Sequence, residues 1–439
     1  MHPAALEGII GLQKIDTDRG GYRMQVKTIL NSVEKHRFFV YEKIQLVEAG
    51  IGKRIDIKIR ERKGSLAICS GCKKGARGYD RLEGRRFQFV PLWGFPVFLL
   101  YSLRRVECVD CGIVVEEVPW ALGKRPLTKS FAYFLADWAK HLSWKETAVR
   151  FHTSWEMVFR SVKYIVDWGR IRIDLSGITA IGIDEINWKK GKFMTLVYQI
   201  NGGVKRLLWA SEDRTENSIR PFFTWLGQER SALIEFICSD MWKPYLNVIA
   251  EMAKGALNIL DRFHIASHMS KAIDEVRAKE TRHLTQTGNE VVLKHSRWCL
   301  LKRPENLTDK QGVKLKDLLK CNLRTIRAYL LKEEFQFFWE YVYPGSAAKF
   351  MDQWCTKVMR SRLEPMKRVA RMLRRHRKLI LNWFEAKGQI HLGAVEGMNN
   401  KLKASIRKSY GFRTAEALKI MLYHKLGNLP EPSVTHRFC

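Results

Sequence analysis

The sequence has 439 residues, is 46% hydrophobic and 11% aromatic, and carries a formal net charge of +32. This composition is typical of a folded protein of several domains and excludes an intrinsically disordered chain. The large positive excess favours a polyanionic partner, with nucleic acid as the first choice and a membrane surface as the alternative. No apolar run approaches the roughly 20 residues of a membrane-spanning helix, so we expect no membrane partner.

Residues 1–37 lack clear periodicity, and we expect a weakly structured extension in which either Met1 or Met24 is the true start. The N-terminus has no basic flank followed by an apolar core, so no secretion signal is expected. The nine cysteines are an odd number, which favours a reducing, cytoplasmic setting.

Two CxxC pairs, "CSGC" and "CVDC", flank strand-like sequence in a predicted domain at residues 38–120. The thiols concerned are those of Cys69, Cys72, Cys108 and Cys111. Two such pairs can surround one tetrahedral Zn²⁺ at about 2.3 Å, and four sulfur ligands indicate a structural site. The alternative is four unrelated thiols. The lysines and arginines around the pairs predict a DNA-binding zinc ribbon, or else form an ordinary solvated surface.

Residues 121–172 are predicted to form a helix-turn-helix DNA-binding domain. The stretches "SWKE" at 143–146 and "TSWE" at 153–156 both match the capping box that begins a helix. Two helices would therefore meet at a very short turn. The second helix would enter the major groove with Trp155, Arg160 and Lys163. A plain helical hairpin is the alternative.

Strand patterns follow from residue 178, in the first part of a predicted catalytic core at 173–265. The order of three strands, helix, strand, helix and strand is that of a ribonuclease-H-like domain. In such a sheet the first and fourth strands can be neighbours. Asp184 and Asp240 each end one of these strands, so we expect their carboxylates to converge at one edge of the sheet. Glu185 points to the opposite side and is expected to be a surface neighbour.

A third carboxylate is expected from Glu396, in the helical stretch "GAVEGMNNKLKASIRKSYGFR". On a 3.6-residue period its polar face also carries Asn399, Asn400, Lys403 and Arg407. Taken alone, this pattern is typical of an amphipathic helix with a solvated face. Together with the two aspartates, it predicts a site for two Mg²⁺ (or Mn²⁺) ions roughly 3.5–4 Å apart, which would activate one oxygen and stabilise a leaving oxygen.

With the cysteine pairs and the helix-turn-helix, four motifs carry a resemblance: "GIDE", "CSDMWKPY", "LDRFHI" and "VEGMNNKLKASIRKSYGFR". In this order they make the chain, from about residue 38 onward, resemble DDE transposases of bacterial insertion sequences of the ISL3 type. By this resemblance Asp184 and Asp240 match the catalytic aspartates, and Glu396 matches the catalytic glutamate. The resemblance implies a metal-dependent ribonuclease-H-like domain that cuts at terminal inverted repeats and joins the 3′ ends to target DNA.

The resemblance also implies an all-helical insertion, at 266–388, before the last part of the catalytic core at 389–439. The expected fold class is therefore multidomain α+β, with a zinc ribbon, a helix-turn-helix and a ribonuclease-H-like α/β domain that the insertion interrupts. Apolar residues at helical spacing agree with this and are expected in its core: Leu315, Leu318, Leu319, Leu323, Ile326 and Leu330.

Ten basic residues between positions 357 and 378, against one acidic residue, favour a helix that tracks phosphates over an ordinary solvated helix. The DNA contacts expected there are Arg371, Arg374 and Arg375. Three further residues are lesser candidates. Asp261 would assist metal or DNA binding, and His264 would contact phosphate, cap a helix or pack. For Trp298 core packing is favoured over stacking on a base.

The expected function is that of a DNA transposase acting on double-stranded DNA, both the terminal inverted repeats and the target. The resemblance implies a homodimer or higher assembly on DNA, in the bacterial cytoplasm and at the nucleoid when bound. A non-catalytic DNA-binding regulator is the alternative, and it leaves the three carboxylates unexplained. A structure-selective nuclease would share the chemistry but needs no domain that reads terminal repeats.

Overall fold

A computed structural model describes residues 25–49, 52–201, 203, 205–288, 292–321, 323–386 and 393–432. The candidate start residues Met1 and Met24 lie outside the described residues. The chain divides into two compact units, one of Met1–Ile165 with Glu431–Cys439 and the other of Val166–Pro430. The finer domain boundaries expected from the sequence, at residues 120, 172, 265 and 388, stay predictions.

The described part of the first unit combines a sheet with several helices. Its elements are α1 (Val26–Val33), β1 (Phe39–Ala49), β2 (Gly52–Glu61), β3 (Ala67–Ile68), β4 (Gly75–Leu92), β5 (Phe95–Cys108), β6 (Gly112–Val115), α2 (Lys129–His141), α3 (Trp144–Arg150) and the start of α4 (Trp155–Ile171). The strand order is β1-β2-β5-β4-β3, with β6 paired to β5. Helix α1 lies in a segment for which the sequence predicted little structure. The sheet is also larger than a minimal zinc ribbon.

An aromatic cluster forms part of the core of this unit. Trp120 is fully buried, and the rings of Phe39 and Tyr101 meet it edge-on at centroid distances of 4.8 and 5.4 Å. Edge-to-face contacts of this kind add to the hydrophobic stabilisation from burial alone.

Helices α3 and α4 are joined by a four-residue turn, as the sequence predicts. The capping box of α3 is confirmed: Ser143 Oγ accepts from the Glu146 amide, and the Glu146 carboxylate accepts from the Ser143 amide. The second box is wrong by one residue. Helix α4 begins at Trp155, and Ser154 Oγ accepts from the Met157 amide at 3.2 Å.

The second unit is built on a five-stranded sheet of order β11-β10-β7-β8-β9. Its strands are β7 (Ala180–Lys189), β8 (Lys192–Gln199), β9 (Arg206–Glu212), β10 (Phe236–Ser239) and β11 (Leu257–Leu260). Strands β7 to β9 form an antiparallel meander, and β10 pairs parallel to both β7 and β11. The predicted order of elements and the pairing of the first strand with the fourth are therefore confirmed.

Helices cover both faces of this sheet. They are α5 (Glu216–Leu226), α6 (Gln228–Ala232), α7 (Lys243–Met252), α15 (Gly393–Lys408) and α16 (Ala415–Leu426). Side chains of α5 and α7 pack on Ile181 and Ile183 of β7 in one core. On the other face α15 approaches β7, where Val395 lies against Gly182.

A second core belongs to the helices between β11 and α15. These are α8 (Arg262–Gln286), α9 (Arg297–Leu301), α10 (Asp309–Leu319), α11 (Arg324–Gln336), α12 (Pro344–Met359), α13 (Glu364–Arg375) and α14 (Arg377–Glu385), with short 3-10 turns at Pro304–Asn306 and Phe337–Glu340. Leu315, Leu318 and Ile326 are buried in this core and Leu323 packs against it. Leu319 and Leu330, also expected in the core, are 42% and 52% exposed.

No helix among the described residues combines the length and the apolar character needed to cross a bilayer.

Candidate functional site

The four cysteines of the two CxxC pairs come together at one end of the first unit's sheet. The Sγ atoms of Cys69, Cys72, Cys108 and Cys111 all lie within 4.8 Å of one another. Cys72 Sγ and Cys108 Sγ are 3.4 Å apart. A tetrahedral zinc ion about 2.3 Å from each sulfur would separate the sulfurs by about 3.8 Å. The cluster therefore has the composition and spacing of a structural zinc site.

The turn after β3 leaves no room for a side chain next to the sulfurs. A Cβ on Gly71 would lie 2.7 Å from Cys111 Sγ. The backbone N–H of Cys72 lowers the pKa of Cys69 to about 7. The hydrogen bond to Cys69 raises the pKa of Cys111 to about 12. Because one thiolate opposes ionisation of the next, the cluster fits a cation that neutralises all four.

Several basic residues beside the cysteines are paired within the protein. Lys73 and Lys74 each lie 2.8 Å from a carboxylate, of Glu117 and Asp110 respectively. Arg104 is buried, and its guanidinium bonds the fully buried Glu116 at 2.7 Å. Arg104 is therefore part of the core of this unit. Its position close to the second cysteine pair in the sequence had made it one of the cations expected on a DNA-binding surface.

In the second unit three aspartates lie level with one another across neighbouring strands, at the carboxyl ends of β10 and β11 (the acidic edge). Asp240 and Asp261 directly follow these two strands, whereas β7 continues from Asp184 to Lys189, so the expectation that Asp184 ends its strand is wrong. Cys238 pairs with Gly182, so Asp240 and Asp184 each lie two residues beyond that pair. Ser239 pairs with Leu260, so Asp261 lies level with Asp240, and its amide donates to Ser239 O at 2.9 Å. Neighbouring strands are about 4.8 Å apart. The expected approach of Asp184 to Asp240 is thus built into the pairing of β7 with β10.

Asp184 is held by two donors in a largely buried position. Its Oδ1 accepts from the Glu185 amide at 2.8 Å, and its Oδ2 accepts from Asn399 Nδ2. The Tyr198 hydroxyl in turn donates to Asn399 Oδ1 at 2.8 Å. Burial raises the pKa of Asp184 to about 6 despite these bonds. The carboxylate is therefore fixed in orientation but costly to ionise in the absence of a cation.

Asp240 lies in the turn between β10 and α7. Its Oδ1 accepts from the Trp242 amide at 3.0 Å. Burial raises the pKa of Asp240, and the negative charge of Asp184 acts in the same direction. The two aspartates thus form one electrostatically coupled pair.

Asp261 and His264 form a local pair at the start of α8. Asp261 caps the helix by accepting from the Phe263 amide at 2.8 Å, and its other oxygen lies 3.0 Å from His264 Nδ1. The hydrogen bond to Asp261 raises the pKa of His264 to about 9. The imidazolium adds positive charge near Asp184 and Asp240, both of whose pKa values it lowers.

Glu396 lies in the first turn of α15 and is exposed. Asn399, one helical turn further, is the residue that bonds Asp184, so this helix is anchored at the acidic edge. Among the described residues, the four cysteines are the one group of three or more potential metal ligands whose atoms lie within 4.8 Å of one another. Asp184, Asp240 and Glu396 do not meet that closely.

Glu185 differs from its expected place at the surface. Its side chain is 17% exposed, and its Oε1 lies 3.3 Å from Arg214 Nη1. Burial raises the pKa of Glu185, and the charge of Asp240 raises it further. As expected from the alternation of side chains along a strand, Glu185 and Asp184 point to opposite sides of β7. The burial arises because the turns that follow β9 and β10 cover that side of the strand, which the sequence pattern does not reveal.

The residues expected to contact DNA fall into three groups. Trp155, Arg160, Arg371, Arg374, Arg375, Asn400, Lys403 and Arg407 are exposed, although Arg160 also pairs with Glu156 and Arg371 with Glu364. Lys163 is half-buried. Asn399 is buried with both ends of its amide engaged, so it is not available to DNA and instead holds Asp184.

Trp298 also differs from the preferred expectation. Its ring is 55% exposed, with the Arg297 guanidinium 5.4 Å from the ring centroid. Core packing is therefore wrong for this residue. Its helix, α9, has only five residues and turns Cys299 and Leu300 inward instead.

Comparison with known proteins agrees with the resemblance found in the sequence. A family model for DDE transposases of the ISL3 type, described as transposase, matches residues 181–422, more than half of the chain. The transposase for insertion sequence element IS1557 of Mycobacterium tuberculosis is 30% identical over an alignment of 406 residues that covers 86% of this chain and 90% of that protein. The transposase for insertion sequence element IS1001 of Bordetella parapertussis is 26% identical over an alignment of 374 residues that covers 83% of this chain and 90% of that protein. The acidic edge and the cysteine cluster agree with this match. Because the family model covers more than half of the chain, the chain belongs to the DDE transposases of the ISL3 type.

Proposed function

We propose that this transposase binds the terminal inverted repeats of an insertion sequence, cleaves the DNA at the element ends and joins the 3′ ends to target DNA. Asp184, Asp240 and Glu396 are the catalytic residues of this proposal. Two observations carry it. Asp184 and Asp240 each lie two residues beyond the last pair of the adjacent parallel strands β7 and β10, and Asn399 ties the helix that carries Glu396 to Asp184.

The topology of the second unit supports a ribonuclease-H-like assignment for the catalytic core. Three antiparallel strands are followed by two parallel strands with helical crossovers, and the fourth strand returns beside the first. The helices from α8 to α14 stand between β11 and α15 in the chain and share a core of their own. They correspond to the helical insertion expected from the resemblance.

The acidic edge fits Mg²⁺ or Mn²⁺. Carboxylate oxygens are the ligands that these hard cations prefer, and few are needed because water and substrate phosphate complete the shell. Burial raises the pKa of both Asp184 and Asp240, so ionising the pair requires a compensating positive charge. Bound divalent ions would activate the attacking oxygen and stabilise the leaving oxygen.

The protein's own groups would orient this centre. The Glu185 amide and Asn399 fix the two oxygens of Asp184, and the Trp242 amide fixes one oxygen of Asp240. Glu396 precedes Asn399 by three residues, which puts both on one side of the helix. His264, held by Asp261, would contribute positive charge next to the phosphate that is cut.

DNA recognition is assigned to several groups, all of them exposed except Lys163, which is half-buried. Zn²⁺ held by the four cysteines would order the ribbon, and α4 would read the terminal repeat through Trp155, Arg160 and Lys163. The phosphate backbone of the DNA would be bound by side chains of two helices: Arg371, Arg374 and Arg375 of α13, and Asn400, Lys403 and Arg407 of α15. Trp298 would stack on an unpaired base. We further propose a homodimer or higher assembly on DNA in the bacterial cytoplasm, because the two ends of an element have to be brought together.

The test is incubation of the purified protein with Mg²⁺ and labelled duplexes that carry the inverted repeats flanking its coding region. Asp184→Asn, Asp240→Asn and Glu396→Gln are each expected to abolish cleavage while end binding stays within about twofold, because the change removes a metal ligand and no DNA contact. Glu235→Gln is the matched control. It is an exposed carboxylate just before β10, at the opposite edge of the same sheet, and should cleave normally.

Other outcomes would contradict the proposal. Binding by the wild-type protein without any nicking would indicate a regulator. Cleavage without joining would indicate a nuclease. Near-normal cleavage by one of the three variants would remove that residue from the catalytic centre.

A further inference from the structure

Arg214, in the turn between β9 and α5, has its guanidinium over two aromatic rings. Its Cζ lies 4.2 Å from the ring centroid of Phe193 on β8 and 4.5 Å from that of Trp242. A guanidinium over an aromatic face gains a favourable cation–π contact. Its N–H groups point outward in its own plane, which leaves them for polar partners.

One in-plane bond is made to the strand that carries Asp184. Arg214 Nη1 lies 3.3 Å from Glu185 Oε1, and within the described residues Glu185 is the one hydrogen-bond partner of this guanidinium. Glu185 follows Asp184 directly and donates its amide to the Asp184 carboxylate. Arg214 is thus connected to the first aspartate through one residue.

The other connection runs to Asp240. Trp242 Nε1 donates to the Arg214 carbonyl at 2.8 Å, and the Trp242 amide donates to Asp240 Oδ1 at 3.0 Å. The tryptophan therefore stacks on the arginine, bonds its backbone and bonds the second aspartate. Arg214 connects through it to the turn that carries Asp240.

The backbone next to Arg214 is itself fixed. Asp213 has a φ of 64°, and its amide donates to Phe193 O at 3.0 Å. Thr195 Oγ1 donates to the Asp213 carbonyl at 2.7 Å. These bonds tie the turn to β8, so the position of the guanidinium is set by the sheet.

We propose that Arg214 is a positioning residue that sets the separation of Asp184 and Asp240 by joining the β7 strand to the β10–α7 turn. The inference rests on the proposed function, since the two aspartates matter together only in a shared metal site. Lysine cannot replace the arginine, because an ammonium lacks the planar group that stacks on aromatic rings while its N–H groups bond a carboxylate. An arginine that simply binds a DNA phosphate is the competing role.

The test compares Arg214→Lys with Arg220→Lys as the matched control. Arg220 lies on α5 in the same unit, pairs with Glu251 and, within the part of the chain that the structure describes, lies over no aromatic ring. Mn²⁺ binding, followed by the electron paramagnetic resonance signal of the free ion, gives a readout that needs no activity. The Mn²⁺ that the wild-type protein binds and Asp240→Asn does not is assigned to this site. Residues that orient metal ligands typically change metal affinity by 10–100-fold, so Arg214→Lys should weaken Mn²⁺ binding at least about tenfold, and Arg220→Lys should not.

Cleavage assays separate positioning from DNA contact. Arg214→Lys should need correspondingly more metal for half-maximal cleavage, with unchanged affinity for end DNA and an unchanged salt slope of binding. Phe193→Leu keeps the arginine and removes one aromatic ring, so it should weaken Mn²⁺ binding and raise the metal requirement for cleavage, but less than Arg214→Lys does. It serves as a second variant if Arg214→Lys folds poorly.

Three results would overturn the proposal. Mn²⁺ affinity within twofold of wild type in both variants would remove the positioning role and leave the transposase function intact. A salt slope reduced by about 0.9, at unchanged metal affinity, would make Arg214 a phosphate contact. Failure of the wild-type protein to bind Mn²⁺ or to cleave would refute the proposed function, and the positioning role with it.

Discussion

Asp184 carries a conflict between burial and charge that a divalent cation would resolve. Its two oxygens have defined donors, and burial nevertheless raises its pKa to about 6. An unfolded aspartate has a pKa near 3.9. Between about pH 4 and pH 6 the folded protein therefore holds a proton that the unfolded chain has released. This proton favours the folded state, and its contribution is lost as the pH rises through about 6.

Stabilisation by metal should follow the opposite trend. Above about pH 6 a bound cation neutralises the ionised carboxylates, whereas at lower pH it must first displace a proton. We expect saturating Mg²⁺ to raise the midpoint of thermal unfolding clearly at pH 8 and hardly at pH 5. The measurement is a melting curve with and without Mg²⁺ at each pH. Glu235→Gln should behave like wild type and Asp240→Asn should lose the shift at pH 8; an equal shift at both pH values would argue against a metal site at Asp184.

Among single residues, the aspartates could be predicted from the sequence and their partners could not. Asp184 and Asp240 each follow an apolar run in the sequence, a local signal that needs no tertiary information, although β7 continues beyond Asp184 to Lys189. Asn399 reads as a polar helix residue for DNA, yet it bonds a carboxylate 215 positions away in the chain. Arg214 has no pattern around it that would single it out. Both roles depend on which elements become neighbours, and only the folded chain determines that.

At the scale of elements, the docking of α15 on β7 depends on a glycine. A Cβ at Gly182 would overlap Val395 Cγ2, one residue before Glu396. Gly182 therefore lets the helix approach closely enough for Asn399 to reach Asp184. Gly182 and Asp184 lie on the same face of β7, and a side chain at position 182 would occupy the space taken by Val395 of α15.

Gly182→Ala should displace the helix that carries Glu396 and lower the cleavage rate, by about 10²-fold for a displacement near 1 Å, while end binding stays within about twofold. Gly255→Ala is the control, because a Cβ there meets no atom within 4 Å. The measurement compares the two variants in their rates of end cleavage and in their binding isotherms with end DNA. Normal cleavage by Gly182→Ala would mean that the position of α15 does not matter for the reaction.

The turn of the first CxxC pair has a similar requirement. Gly71→Ala would bring a methyl group to within 2.7 Å of Cys111 Sγ and should push one thiolate out of the cluster. We expect less than one Zn²⁺ per chain by metal analysis and weaker binding of end DNA. Gly78→Ala, which meets nothing within 4 Å, should retain one zinc per chain. Full zinc content in Gly71→Ala would contradict a four-thiolate site.

The order of elements was predictable because each has a local periodicity, but their ends depend on single residues. The basic run at 357–378 reads as one helix. The structure divides it among α12, α13 and α14, and Pro365 stands at the start of α13. Proline lacks the amide that would continue a preceding helix and fits the first turn of a new one. Met366, Val369 and Leu373 form the buried side of α13 and anchor it in the helical core.

On the scale of the whole molecule, a strongly basic chain concentrates acid at one edge of one sheet. The protein has 77 lysines and arginines against 45 acidic residues, yet Asp184, Asp240 and Asp261 lie on neighbouring strands at one level of this sheet, with Glu185 next to Asp184. Positive charge attracts DNA without regard to sequence and makes its binding depend steeply on salt. The acidic edge is the part of the molecule suited to hold cations between the protein and the bound phosphate backbone.

Asp184, Asp240 and Glu396 should together bind the metal ions that cut DNA. Anomalous scattering from crystals of the protein bound to an element-end duplex in Mn²⁺ would locate these ions. We expect two peaks roughly 3.5–4 Å apart, each within bonding distance of at least one of the three carboxylates, with Glu396 among the ligands. Well-ordered DNA at this edge with no Mn²⁺ peak, or with Glu396 remote from every peak, would exclude a metal centre shared by these three residues.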